Sequence, residues 1–445
     1  MMPESIIALI IGLILSYFTV RLSKQQGSFD LFSPPILVLV TMWLQYYLPA
    51  LTLPYYDYWV YPHRFEKSQV ILYPILLSSV GWLSFLSGYK VKLGRLISRV
   101  MPAPIPSRYT IWTAWTLILI GSAGIFMTIK QSGGLFNIAY IGSVSKGTGV
   151  WFHLGFLILP GVALMWSWHN TRVIAILASI VYFVVLMSAQ ARGASLVVFI
   201  ILFIMSSYIW NLKSVNILLF GNFFVMFIII AVSVGRYLIG IKSLSDIFSL
   251  TLTIIISYVN NVILTINRDL SRLEQLSIIM ELVPEHVNYF LGIPMLQGLL
   301  GPFSKYLFPG TLDWRILLTS VALYGSPEHL EWGMGGAGVG EWYANFGLAG
   351  VIIGWLLFGV AGKCLYEWFQ QGKQRYPQGV LLPMYVLLLW ILEGCMMETF
   401  GHLFSIWLLV PVVMTSRWRH VKNDPLWTKD DRVISKTTKW LSGRK

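Results

Sequence analysis

Long apolar segments separated by short polar loops run along almost the whole chain. A helix needs about 20 apolar residues to cross the hydrocarbon core of a bilayer, and eleven segments approach or reach that length. The predicted spans are 5–20, 33–52, 69–89, 109–129, 151–168, 172–190, 194–211, 215–235, 342–361, 379–398 and 401–416. The pattern predicts an all-α, polytopic integral membrane protein with about 11 transmembrane helices.

Composition supports this fold class. Of the 445 residues, 56% are hydrophobic and 11% are charged, whereas soluble domains carry about 25% charged residues. No polar region is long enough to form a second core, so residues 1–445 are predicted to form a single membrane domain. The only cysteines, Cys364 and Cys395, fall near opposite membrane faces, and we expect neither a disulfide nor a metal site.

The distribution of Lys and Arg predicts which loops face the cytoplasm. If the basic tail 417–445 is cytoplasmic, counting back through the spans puts further loops on the same side: 21–32, 90–108, 169–172, 212–214 and 362–378. Together these segments hold 21 of the 32 Lys and Arg residues. We therefore expect the N-terminus outside and the C-terminus in the cytoplasm. This asymmetry explains the net charge of +13, and nucleic acid is not expected as a partner.

One loop is much longer than the others. Residues 236–341 lie on the predicted outer side and include an apolar segment, 246–266, that is dotted with Ser, Thr and Asn. If this segment crossed the membrane once, the basic tail would face outward. We therefore expect amphipathic or re-entrant helices within the loop, and we look for function there because binding residues concentrate in such loops.

Four arginines are predicted at the outer membrane edge. Arg192 lies between two spans in the stretch SAQARGAS, and Arg236 ends the eighth span. Arg268 and Arg272 are one helical turn apart, so both leave the same side of a helix. One role for such residues is to reach lipid headgroups. The alternative is a site for a lipid-linked diphosphate, because guanidinium groups bind phosphate oxygens in pairs.

Glu341 is the only acid in the glycine-rich stretch WGMGGAGVGEWYANFG, which leads into the ninth span. An acid at the start of a helix interacts favourably with the helix dipole, so Glu341 is either a helix cap or a catalytic base. The glycines allow the backbone to approach an anion closely. His286 and His329, in the same outer loop, are reserve candidates for proton transfer.

Aromatic and amide side chains near these residues suit sugar binding. Tyr306 lies in the stretch LLGPFSKYLFPG, and Trp332, Tyr343 and Asn345 flank Glu341. Trp and Tyr also form belts at membrane edges, and that role stays open for each of the aromatic residues.

These features resemble the Wzy-type O-antigen polymerases, the oligosaccharide repeat-unit polymerases of bacterial envelopes. The resemblance is carried by the Arg192–Gly193 turn, by Arg268 and Arg272 in a long outer loop, by GPFSKYLFPG, and by GVGEWYANFGLAGVIIG. It implies a GT-C-like membrane glycosyltransferase in the bacterial cytoplasmic (inner) membrane, with the long loop in the periplasm.

The resemblance also implies a reaction. The growing glycan would leave its undecaprenyl diphosphate and be transferred to a new lipid-linked oligosaccharide on the periplasmic face. No metal or other cofactor is expected, because the diphosphate is the leaving group. Membrane lipids, a chain-length regulator and a flippase are the implied partners. The four arginines would bind phosphates, and Glu341 would take a proton from the acceptor hydroxyl.

Two other functions use similar features. An O-antigen ligase takes the same donor but transfers the glycan to lipid A–core, and related ligases carry a His where this chain has Glu341 and Trp342. A transporter of polysaccharide or lipid-linked oligosaccharide would show inverted repeats and charges near the middle of the membrane. The sequence shows no internal repeat, and its polar residues gather at one predicted face.

Overall fold

The computed structural model describes the chain in segments. They are residues 3–24, 30–52, 66–91, 103–105, 107, 109–131, 148–188, 192–213, 216–217, 221, 271–300, 307, 314–326, 338–373, 380–397 and 406–419. Within these segments the protein is helical, apart from one short two-stranded ribbon.

The described segments contain α-helices of very different lengths. In chain order they are α1 (Pro3–Lys24), α2 (Pro34–Met42), α3 (Leu48–Thr52), α4 (Lys67–Lys90), α5 (Tyr109–Gln131), α6 (Thr148–Gly155), α7 (Ile158–Trp166), α8 (Arg172–Ser188), α9 (Arg192–Ile209), α10 (Leu273–Leu282), α11 (Ile293–Leu300), α12 (Trp314–Tyr324), α13 (Gly338–Lys373), α14 (Leu381–Met397) and α15 (Leu409–Met414). A π-helix, Trp43–Tyr47, joins α2 to α3, and a 3-10 turn, His169–Thr171, precedes α8.

Several helices are suited to a membrane. Among the described residues, those long and apolar enough to cross one are Pro3–Lys24, Pro34–Thr52, Ser68–Lys90, Tyr109–Gln131 and Gly338–Gln370. Large apolar side chains also face outward: Leu13 and Tyr17 in α1, and Leu119 and Phe126 in α5, are each more than half exposed. A surface of this kind is suited to lipid tails, so the helices indicate a membrane-embedded protein. The full set of eleven spans stays a prediction.

The predicted span 151–168 is broken into two helices. The structure ends α6 at Gly155 and begins α7 at Ile158. Pro160 accounts for the break, because its ring has no N–H and clashes with the carbonyl of Phe156 four residues earlier. Instead, the Phe156 carbonyl accepts a hydrogen bond from the Leu159 N–H at 3.0 Å.

Glycines set the closest helix contact in the bundle core around α1, α2, α4 and α13. A Cβ at Gly88 in α4 would collide with the carbonyl oxygen of Leu356, and a Cβ at Gly359 in α13 would collide with that of Phe85. Small residues let helix backbones approach each other in membrane proteins, where packing replaces the hydrophobic drive of water. The crossing of α4 and α13 therefore depends on these two positions.

Helix α13 is a hairpin rather than one straight helix. Gly347 has φ 64° and ψ −154°, a conformation that is open almost only to glycine. Before it lies the short arm (338–346), and after it lies the long arm (348–373). Trp342 and Phe358 have ring centroids 5.8 Å apart, whereas a straight helix would separate these residues by about 24 Å. The short arm therefore folds back along the long arm, so the chain turns inside the predicted span 342–361.

Residues in or near several of the loops predicted to face the cytoplasm contact one another. The Asp30 carboxylate accepts hydrogen bonds from Tyr208 Oη at 2.8 Å and from Tyr366 Oη at 3.3 Å. It also accepts one from the Phe32 N–H at 2.9 Å. These hydrogen bonds to Asp30 join the predicted loop 21–32 to α9 and the long arm.

Described residues in or beside the other loops of this group also contact one another. The Trp166 and Trp210 rings are in edge contact, and Lys363 Nζ lies 5.1 Å from the centre of the Tyr89 ring. Strand β1 (Ala103–Ile105) pairs antiparallel with β2 (Arg417–Arg419), which joins the loop after α4 to the start of the basic tail. Which end faces the cytoplasm stays a prediction.

Candidate functional site

The short arm packs into the bundle through its glycine face. A Cβ at Gly340 would lie 2.7 Å from Ile279 Cδ1 of α10. Val339 and Ala344 of the short arm, like Leu276 and Ile279 of α10, are buried. Helix α10, which belongs to the long predicted outer loop, is therefore in contact with the core of the bundle.

The loop after α10 caps the end of the short arm. The N–H groups of Phe290 and Leu291 donate to the carbonyls of Ala344 and Asn345 at 3.1 and 3.2 Å. These carbonyls would otherwise lack partners, because a helix leaves its last carbonyls unpaired. The loop therefore holds the turn of the hairpin in place.

Asn345 connects this loop to Glu341. Its amide oxygen accepts a hydrogen bond from the Gly292 N–H at 2.9 Å, and its amide nitrogen donates to the Glu341 carbonyl at 2.7 Å. Asn345 is fully buried. Since both ends of the amide are engaged within the protein, the geometry favours a positioning role for Asn345 over the sugar contact predicted from the sequence.

A π-turn brings a second segment to the site. In an α-helix the Gln45 carbonyl would accept from the N–H of residue 49, but Pro49 has no N–H. The helix instead widens, with the Leu48 N–H bonded to the Trp43 carbonyl. The Gln45 carbonyl accepts a hydrogen bond from the Arg272 N–H at 2.9 Å. Pro49 thus creates the acceptor that fixes the start of α10.

Three side chains from these elements interact electrostatically and form what we call the buried polar cluster: Tyr46, Arg272 and Glu341. The Tyr46 hydroxyl interacts electrostatically with both the Arg272 guanidinium and the Glu341 carboxylate. Tyr46 is 1% exposed and Glu341 is 0% exposed, while Arg272 is half-buried. Charges interact strongly where water is excluded, so the guanidinium and the carboxylate both act on the buried phenol.

The sequence predicted two members of the cluster and missed the third. Arg272 and Glu341 are separate sequence candidates, and the structure brings both to one phenol. Tyr46 was not singled out, because a tyrosine inside an apolar span is a common aromatic residue. The available clue was Pro49, which predicts that the carbonyl of Gln45 needs a partner from elsewhere in the chain.

Two other predicted residues lie outside the cluster's buried centre. His286 is exposed on the loop after α10, and Tyr343 is half-buried on the short arm. Tyr343 interacts electrostatically with Tyr289 and Glu285 of that loop. A polar aromatic surface beside the hairpin turn is suited to a sugar ring, so the sugar-contact prediction for Tyr343 is retained.

The remaining predicted site residues lie outside what the structure describes. Arg192 begins α9, but its side chain is not among those described. Five other predicted site residues lie entirely outside the described segments: Arg236, Arg268, Tyr306, His329 and Trp332. In the described part of the chain, no group of three or more His, Cys, Asp or Glu side chains could hold a metal ion.

Neither protein-family models nor curated proteins nor solved structures gave a match to this chain. The functional argument therefore depends on the residues themselves. A guanidinium offers only donors, a carboxylate only acceptors, and a phenol can do either. Such a cluster can bind an anion and accept a proton from a neighbouring hydroxyl.

Proposed function

We propose that the protein is a membrane glycosyltransferase that polymerises undecaprenyl-diphosphate-linked oligosaccharide repeat units. The observation that carries the proposal is the burial of Glu341 beside Tyr46 and Arg272 within an apolar bundle. Burying a carboxylate costs free energy, and one kept beside a guanidinium and a phenol in an apolar bundle favours a functional role. Proton transfer beside a bound anion is a use that suits all three side chains.

The proposed reaction assigns a role to each charged group. Arg272 binds the diphosphate of the donor, together with Arg192, Arg236 and Arg268 from the segments predicted beside it. An acceptor sugar hydroxyl attacks the anomeric carbon, and the bond from that carbon to the diphosphate oxygen breaks. Glu341 takes the hydroxyl proton, and the lipid diphosphate leaves with the electron pair. The arginines stabilise the negative charge that develops on it.

The place of the cluster in the bundle suits a lipid-linked substrate. The cluster is near the Gly347 end of the long arm, and the contacts between the basic loops are near Lys363. About 24 Å of helix separates these two positions. If the basic loops are cytoplasmic, the cluster lies in the periplasmic half of the membrane, where a substrate with a bilayer-embedded lipid can enter from the side.

Reconstitution tests this function. The purified protein is placed in proteoliposomes with lipid-diphosphate repeat units from the host cell, and the glycan products are separated on a gel. We expect a ladder of lengths that needs neither nucleotide sugar nor added metal. Transfer of single units to added lipid A–core would indicate a ligase instead. Movement of units across the membrane without a new glycosidic bond would indicate a transporter.

A further inference from the structure

Tyr46 is a buried phenol whose hydroxyl has no hydrogen-bond partner in the described part of the chain. It is 1% exposed. Burying a hydroxyl without a partner destabilises a protein, and buried polar groups are therefore almost always satisfied. The cost needs an explanation in terms of what Tyr46 does.

The neighbouring residue shows how this helix satisfies a phenol that serves the fold alone. Tyr47 lies in the same π-helix and is also fully buried. Its hydroxyl shares a hydrogen bond with Ser79 Oγ at 2.7 Å. The two hydroxyls differ in their surroundings: that of Tyr47 bonds to α4, whereas that of Tyr46 interacts electrostatically with Arg272 and Glu341.

The backbone is shaped to keep Tyr46 in that direction. The π-turn adds a residue to one helical turn and so rotates the side chains that follow. Pro49 enforces the turn, and the Arg272 N–H bonded to the Gln45 carbonyl fixes α10 against it. This one backbone hydrogen bond thus helps to position both the Tyr46 phenol and the Arg272 guanidinium.

We propose that Tyr46 is a substrate-binding residue whose hydroxyl donates a hydrogen bond to the diphosphate of the lipid-linked sugar bound by Arg272. This inference rests on the proposed function. The phosphate oxygens supply the acceptor that the hydroxyl lacks, and a neutral donor strengthens the anion site without adding charge. Tyr46 and Glu341 are closed to solvent, so binding requires the short arm or α10 to shift.

The paired variants Tyr46→Phe and Tyr47→Phe separate binding from folding. The probe is undecaprenyl diphosphate, added to the purified full-length protein in nanodiscs, with undecaprenol as the ligand that lacks phosphates. For Tyr46→Phe we expect the Kd for undecaprenyl diphosphate to rise about 10-fold, because one hydrogen bond to a charged group is lost. Its Tm should stay at or above the wild-type value, since no hydrogen bond of the protein is removed.

Tyr47→Phe should give the opposite result, a lower Tm and an unchanged Kd, because it removes the bond to Ser79. The inference is overturned if Tyr46→Phe binds the probe as the wild type does, or if its Tm falls as that of Tyr47→Phe does. It is also overturned if the wild type binds undecaprenol as tightly as undecaprenyl diphosphate.

Failure of the proposed function gives a different result. In that case the wild type forms no glycan ladder, whatever the two variants show in the binding assay. A wild type that forms the ladder, with a Tyr46→Phe variant that forms it at the same donor concentrations, overturns the role of Tyr46 and leaves the polymerase proposal standing.

Discussion

The indole of Trp342 lies in a notch at Gly354 on the opposite arm of the same hairpin. A second notch lies one turn earlier, where a Cβ at Gly350 would be 2.5 Å from the Trp342 carbonyl oxygen. The glycines of this region are therefore needed for packing. They let the short arm fold against the long arm closely enough to bury Glu341.

Filling the Gly354 notch should destabilise the hairpin. Gly354→Ala places a methyl group where the Trp342 ring lies, and overpacking of this kind costs about 1–3 kcal/mol. The measurement is the free energy of unfolding in detergent micelles. In a Trp342→Leu background the same alanine should cost much less, because the ring is gone. An equal cost in both backgrounds would show that the two residues are not coupled.

The turn at Gly347 should tolerate no side chain. Gly347→Ala forces a residue with a Cβ into φ 64°, ψ −154°, and the new Cβ would lie 2.9 Å from the Tyr289 hydroxyl. We expect a loss of about 1–3 kcal/mol in the free energy of unfolding and a shorter glycan ladder.

Gly325→Ala is the matched control for that turn. Gly325 also has positive φ, 68°, but no atom lies within 4 Å of its virtual Cβ. Its alanine variant should be destabilised by the backbone alone and should keep the full ladder. A Gly347→Ala variant as stable and as active as Gly325→Ala would refute the importance of the hairpin.

Glu341→Gln should abolish polymerisation while the protein still inserts and folds. The amide keeps the size of the side chain but cannot take the acceptor proton, and a general base contributes about 100-fold to 10,000-fold in rate. The assay is the glycan ladder, with a membrane-fraction immunoblot for insertion. Glu367→Gln is the control, since Glu367 pairs with Lys363 at 3.0 Å at the far end of the long arm. A normal ladder from Glu341→Gln would leave Glu341 with a structural role only.

Arg272→Ala should leave only single repeat units on the acceptor lipid. The variant loses the phosphate contact but keeps the backbone bond to Gln45, so α10 should stay in place. Arg272→Lys should recover part of the activity, because Lys retains the charge without the paired donors. The sequence predicts the same loss for Arg268→Ala.

Arg172→Ala is the control for those arginine variants. Its Nε donates to the Trp166 carbonyl at 3.2 Å, among the loops at the other end of the bundle. It should form the full ladder. Long polymer from both Arg272→Ala and Arg268→Ala would remove the phosphate assignment.

The shorter of the two tyrosine hydrogen bonds to Asp30 should contribute more to stability than the longer one. Tyr208→Phe removes the 2.8 Å bond to the carboxylate and should cost about 1.5–3 kcal/mol. Tyr366→Phe removes the 3.3 Å bond and should cost less. The free energy of unfolding of each variant is measured with urea in a mild detergent, and both variants should remain active. The reverse order would mean that ring packing, rather than hydrogen bonding to Asp30, determines how much each tyrosine contributes to stability.

Much of the architecture followed from hydropathy, because a helix in lipid must be apolar along its whole length. The hairpin did not follow. Residues 338–370 contain a window with a mean hydropathy of 2.0, and hydropathy does not register the positive φ of Gly347 that reverses the chain. Glu341 was therefore predicted at the entrance of a straight span, and its complete burial was not foreseen.

The cluster was predicted in part for a similar reason. Arg272 and Glu341 stand out as charges beside apolar segments, so the sequence could nominate them one at a time. The membership of Tyr46 in the cluster depends on a contact between Gln45 and Arg272, which are far apart in the chain. A single sequence gives no measure of such a pairing, although the missing N–H of Pro49 predicts that some partner exists.

The π-turn also makes the cluster depend on a residue outside it. A turn of this type has one residue more than an α-turn, and a codon change that replaces Pro49 with alanine would supply the N–H that lets the helix close regularly on the Gln45 carbonyl. Because no residue is removed, everything on one side of the turn would then rotate by about 100°, and the phenol of Tyr46 would leave Arg272 and Glu341. A one-codon change in the gene could thus dismantle the cluster without replacing any of its three members.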